Sequence, residues 1–145
     1  MERPQSAQRV LGWTVLLGAT LQFFLAGLAV FRAKPHDGDK LFKSSAFDVH
    51  RVLGDALILV TFAILVLAIV NREQIRLAAV LFALMVLQYI LAGAGESVAA
   101  LGALHPVNGV AILAISHFIA RGPRRPKEEA ALPPEETAPP APAPG

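Results

Sequence analysis

Cysteine is absent from the chain. That excludes disulfides, thiolate metal ligands, c-type haem attachment and lipid anchors on cysteine. Charge is scarce: Asp, Glu, Lys and Arg make up 17% of the residues, against 54% hydrophobic ones. The scarcity is also uneven. Residues 10–31 carry no charge at all, and a run of that length is helix enough to cross a hydrocarbon core of about 30 Å. Further apolar blocks occupy residues 49–70, 77–95 and 98–120, with ionisable groups near the starts of the second and fourth. The expected fold is all-α: an integral membrane four-helix bundle in a lipid bilayer, filling residues 1–121.

Arg3 and Arg9 precede the first block as they would precede a signal peptide. The block is too long for that, and no small-x-small cleavage site closes it before Arg32, so a retained span is expected. The basic residues gather at span ends, where they orient a membrane protein, and make no nucleic-acid patch. With four spans the termini share a side. That side holds Arg3, Arg9, Arg72, Arg76, Arg121, Arg124, Arg125 and Lys127, against Arg32, Lys34, Lys40, Lys43 and Arg51 opposite. The bias puts both termini in the cytoplasm. Residues 122–145 change to proline, alanine and glutamate, a composition with little to bury and the mark of a disordered tail.

The chain repeats itself. "LQFFLAG" at 21–27 returns as "LQYILAG" at 87–93, and "HRVLG" at 50–54 returns as "HPVNG" at 105–109. Leucine and alanine matches are cheap in membrane spans; a mid-span glutamine followed at five residues by glycine is not. The order LQ…LAG then His-x-Val-x-Gly, twice, indicates two tandem helical hairpins of the same orientation around an axis along the membrane normal. The first copy carries an inserted polar loop, "KPHDGDKLFKSS". Pro106 suits the first turn of the fourth span.

In such a repeat His50 and His105 fall at similar depth on symmetry-related helices. Ionisable groups within membranes usually face the bundle interior. Gly54 and Gly109 lie one turn further on, on the same helical face, and leave a notch beneath each imidazole. Gly27 and Gly93 thin the remaining walls. Two facing imidazoles with glycine at i+4 match one bis-histidine haem b, since haem iron accepts two axial histidines and bundles hold cofactors between facing helices. Arg51 would then salt a haem propionate or a quinone oxygen, or simply pair with Asp55 four residues on. The plainer reading is that the histidines are interfacial and the glycines serve close packing. Zinc or copper would be underfilled by two histidines without cysteine or a carboxylate cluster.

His117 has no partner at matching depth in the second span, so no second haem is expected, and His36 lies in the polar loop. Gln22 and Gln88 are expected to hydrogen-bond across the bundle. Glu96 is either a loop residue or a proton-transfer group, and Trp13 sits where an aromatic belt would.

Four spans with histidines near the starts of the second and fourth resemble one four-helix half of haem A synthase. "VHR" at 49–51 looks like the end of that enzyme's Glu-x-x-His-Arg motif, although Phe47 stands at the Glu position with Asp48 beside it. The ascorbate-linked b-type cytochromes are similar in placing histidines across a four-helix core, but with two pairs. The whole chain looks most like small four-span bacterial membrane proteins grouped by a domain of unknown function. Two protein ligands leave no open coordination position, so the expected function is a haem-binding electron carrier or respiratory-chain accessory rather than an enzyme, with a quinone or another membrane redox protein as partner. The alternatives are a haem-free structural or assembly subunit and a small transporter.

Overall fold

The computed structural model describes residues 3–32 and 45–122. Among these are four helices and no strand: α1 (Arg3–Arg32), α2 (Ser45–Asn71), α3 (Ile75–Gly95) and α4 (Ala99–Arg121). All four are long and apolar enough to cross a membrane, and the protein is an all-α, multi-pass four-helix bundle. The polar first loop with His36 and the tail after Gly122 lie outside the described residues.

Three of the expected spans sit inside one helix each, and the fourth begins one residue before α4, at Val98. Pro106 is the exception in kind. It lies inside α4, in its eighth position, not at its start. There the proline has no N–H to offer the carbonyl of Gly102, one turn back. Spans tolerate such a loss because neighbouring helices and polar side chains can satisfy the freed group.

The helices form a closed ring. α1 packs on α2 and α4, and α3 packs on the same two; α2–α3 is the least extensive seam. Lipid tails are as apolar as leucine, so hydrophobicity alone does not drive these contacts, and close packing of small residues takes its place. Gly12 shows how tightly α1 meets α4. A Cβ placed there would stand 2.8 Å from the Ala120 amide nitrogen and 3.0 Å from its Cα. Arg9 Nε donates to the Ala120 carbonyl at 3.3 Å beside it. At the far end of the bundle, Gly95 and Gly102 bring α3 and α4 together, with a Cβ on Gly95 only 2.6 Å from the Gly102 Cα.

Between these ends the core is dry toward the N-terminal half: Val15, Ile64, Ala68, Leu81 and Ile119 are fully buried. Two buried hydroxyls there bond within their own helices. Thr61 donates to the Ile58 carbonyl at 2.8 Å, and Ser116 to the Ile112 carbonyl at 2.7 Å. Apart from Arg9–Ala120, the polar cross-helix contacts lie further along, around the repeated glutamines.

Candidate functional site

His50 on α2 and His105 on α4 are both half-buried and meet in the middle of the bundle. Their ring centroids are 6.3 Å apart, with the planes at 45°. Each ring is held by the helix before it. His50 Nδ1 bonds the Gln22 carbonyl at 3.2 Å, and His105 Nδ1 bonds the Gln88 carbonyl at 3.1 Å. The same atom of the same repeated residue serves in both copies, as a two-fold arrangement of hairpins requires. A carbonyl only accepts, so Nδ1 carries the proton in each ring, and in the neutral ring Nε2 keeps its lone pair. This is how metal-ligating imidazoles are oriented. At a metal–nitrogen distance of about 2 Å, two imidazoles on opposite sides of one metal stand about 6 Å apart, centre to centre.

Among the described residues, no group of three or more His, Cys, Asp or Glu side chains could hold a metal ion. The donor set is therefore two imidazoles, which suits the axial positions of a haem better than a tetrahedral ion. The glycines divide into two kinds. Gly27 and Gly93 face open space. The notches beside Gly54 and Gly109 are filled. A Cβ on Gly54 would meet Gln22 Nε2 at 3.2 Å and the Tyr89 hydroxyl at 3.6 Å. One on Gly109 would meet Phe23 Cζ at 2.8 Å and Gln88 Nε2 at 3.7 Å. A porphyrin laid in those notches has to displace these four side chains.

The glutamine side chains do not reach each other across the bundle as expected. Gln88 Nε2 donates to the His105 carbonyl at 3.1 Å, and its Oε1 accepts from Asn108 Nδ2, which also bonds the Leu84 carbonyl at 2.9 Å. Gln22 has no such partner: its Oε1 is buried without a hydrogen bond. The reason is one residue. The position matching Asn108 in the first copy is Leu53.

A second departure involves two positions together. Tyr89 and Phe23 are repeat partners, as are Asp55 and Val110. On one side Tyr89 Oη donates to Asp55 Oδ1 at 2.6 Å, across α2–α3. On the other, the matching residues Phe23 and Val110 are apolar. Arg51 is exposed, 3.6 Å from Asp48, while Asp55 accepts from Tyr89. Trp13 and His117 meet edge-on at 6.4 Å, near the Arg9–Ala120 contact.

The repeat motifs alone do not single out Tyr89 or Asn108. What would have found them is a register-by-register comparison of the two copies, since Phe23/Tyr89 and Val110/Asp55 change from apolar to polar together.

This is a four-helix integral membrane protein with a polar belt centred on two imidazoles. Residues 22–95, just over half of the chain, match a family of unknown function (DUF6220), and the chain belongs to that family. The matched stretch includes Gln22, His50, Asp55 and Tyr89 and ends before His105. No curated protein and no solved structure matches the chain.

Proposed function

We propose that the protein is a single-haem, b-type membrane cytochrome, working as an electron carrier or respiratory-chain accessory. The observation that carries this is the imidazole pair: two rings from repeat-related helices, 6.3 Å apart, each fixed through Nδ1 by a main-chain carbonyl. His50 and His105 would hold the haem iron, and the Gln22 and Gln88 carbonyls would orient them. With both ligands supplied by protein, the group would supply one-electron transfer rather than oxygen chemistry. In this reading the chain lies in a bacterial inner membrane, and the bias of its basic residues supports both termini in the cytoplasm. The histidine belt then lies in the outer half of the bilayer. Gly27 and Gly93 border the site on α1 and α3, and Arg51 stands at its outer rim.

The filled notches at Gly54 and Gly109 favour a second reading, a haem-free structural or assembly subunit whose histidines only tie helices together. A reduced-minus-oxidised absorption spectrum of detergent-purified protein separates the two. A Soret shift and a sharp α-band, both lost in His50→Ala and in His105→Ala, are expected. A colourless protein after haem-replete expression would overturn the haem and leave the structural reading.

A further inference from the structure

We propose that Asp55 and Tyr89, together with the Gln22 amide, form a lipid-facing site in the α2–α3 seam for the headgroup of a membrane-soluble quinone or quinol. The two-fold repeat is the first ground. The fold closes its α1–α4 seam with Phe23 and Val110 at the matching positions, so packing does not call for a carboxylate and a phenol at the α2–α3 one. Two positions change together, and the change puts an ionisable group into a span, where such groups are costly and tend to mark ligand or proton sites.

Placement is the second ground. Gln22 lies thirteen residues beyond Arg9, roughly 20 Å along α1 at about 1.5 Å per residue. That is well inside a hydrocarbon core of about 30 Å and away from lipid phosphates, which a carboxylate would in any case repel. Asp55 and Tyr89 are nevertheless exposed at the side of the bundle, in its least extensive seam. A ligand that reaches them comes from the lipid.

Chemistry is the third. A quinone presents carbonyl acceptors and its quinol presents hydroxyl donors, so a site that holds both forms needs a donor and an acceptor at each end. The Gln22 amide has both, and its Oε1 is buried without a partner. The Tyr89–Asp55 pair accepts as it stands, through the phenol oxygen and through carboxylate capacity beyond the one bond from Tyr89, and it donates to a quinone carbonyl when the phenolic hydrogen turns from Asp55 to the ligand. Gln22 Nε2 and the Tyr89 hydroxyl stand against the same glycine, Gly54. The value of such a site to an electron carrier rests on the haem reading above; its ability to bind does not.

The test is photolabelling of the full chain in phosphatidylcholine nanodiscs with a short-tailed azidoquinone, the adducts mapped by peptide mass spectrometry. Label is expected on α2 and α3 around Asp55 and Tyr89, displaced by unlabelled quinone. It should fall about tenfold in Asp55→Val/Tyr89→Phe, the loss of a charge-assisted hydrogen bond being worth at least that factor. That double variant gives the α2–α3 seam the residue types that Phe23 and Val110 supply at the matching positions, so a folded protein is expected; Tyr89→Phe alone is the milder control. Label spread evenly over the lipid-facing residues, label at the α1–α4 seam, or labelling unchanged in the double variant would overturn the site. Colour is read on the same samples. A colourless protein that labels at the seam sinks the haem and keeps the quinone site, and a coloured one that does not label there does the reverse.

Discussion

The α1–α4 and α2–α3 seams occupy equivalent places in a duplicated fold, yet they are built differently. The first is tight and dry: Gly12 lets Ala120 approach within contact of the backbone, Arg9 ties the end, and Phe23 fills the space beside Gly109. The second is thinner, and at the depth where Phe23 lies in the first it holds Tyr89 bonded to Asp55. One joins the two hairpins by shape. The other joins them with a three-residue turn, 72–74, and a polar pair open to lipid. A fold that needs only one shape-complementary closure leaves the other seam free to carry chemistry.

The strongest way to break the comparison is Gly12→Val. Its side chain meets backbone atoms that cannot turn aside, and overpacking of this kind costs about 3 kcal/mol. Reversible unfolding in mixed micelles, followed by circular dichroism, should show that loss; a change under 1 kcal/mol would mean the α1–α4 seam is looser than its geometry. Next is Asn108→Leu, which gives the second copy the first copy's residue. It strands Gln88 Oε1 and should cost about 1–2 kcal/mol by the same measurement. An unaltered midpoint would show that Gln88 finds another donor.

Asp55→Val/Tyr89→Phe should move stability by less than about 1 kcal/mol, since a polar pair facing lipid contributes little beyond its own bond. A loss as large as that of Gly12→Val would make the pair structural. The smallest effect expected is from Leu53→Asn, which offers Gln22 Oε1 the donor that Asn108 offers Gln88. A gain of about half a kcal/mol would follow; a loss would mean the Gln22 pocket lacks room for the amide.

Hydropathy located the four spans because a helix crossing lipid must be apolar for about twenty residues. The repeat then paired His50 with His105, and the two rings do meet. What hydropathy does not carry is rotation about each helix axis. Asp55 follows Arg51 by one turn and reads as its partner, but it is also within reach of a tyrosine on α3 that no local spacing reveals. Pro106 read as a helix start because proline favours first turns. The residues before it, 99–105, are apolar enough to extend the helix by two turns, and the tertiary contact of Gly95 on Gly102 holds them there. The orphaned Gln22 acceptor was visible only as Leu53 standing opposite Asn108, a difference that means little until the glutamines are known to point at those positions.

The imidazoles are anchored on main-chain oxygens, and that has a mechanical consequence. Any residue at position 22 or 88 presents a carbonyl, so substitution there leaves the anchors in place. Only relative motion of the helices can remove them. A slide of α2 along α1 by one residue, about 1.5 Å, comes with a swing of about 100° between successive carbonyls, and it carries the Gln22 oxygen away from His50. The ring pair is therefore tolerant of mutation and sensitive to displacement. It registers how each hairpin is set, much as a vernier registers the offset between two rules.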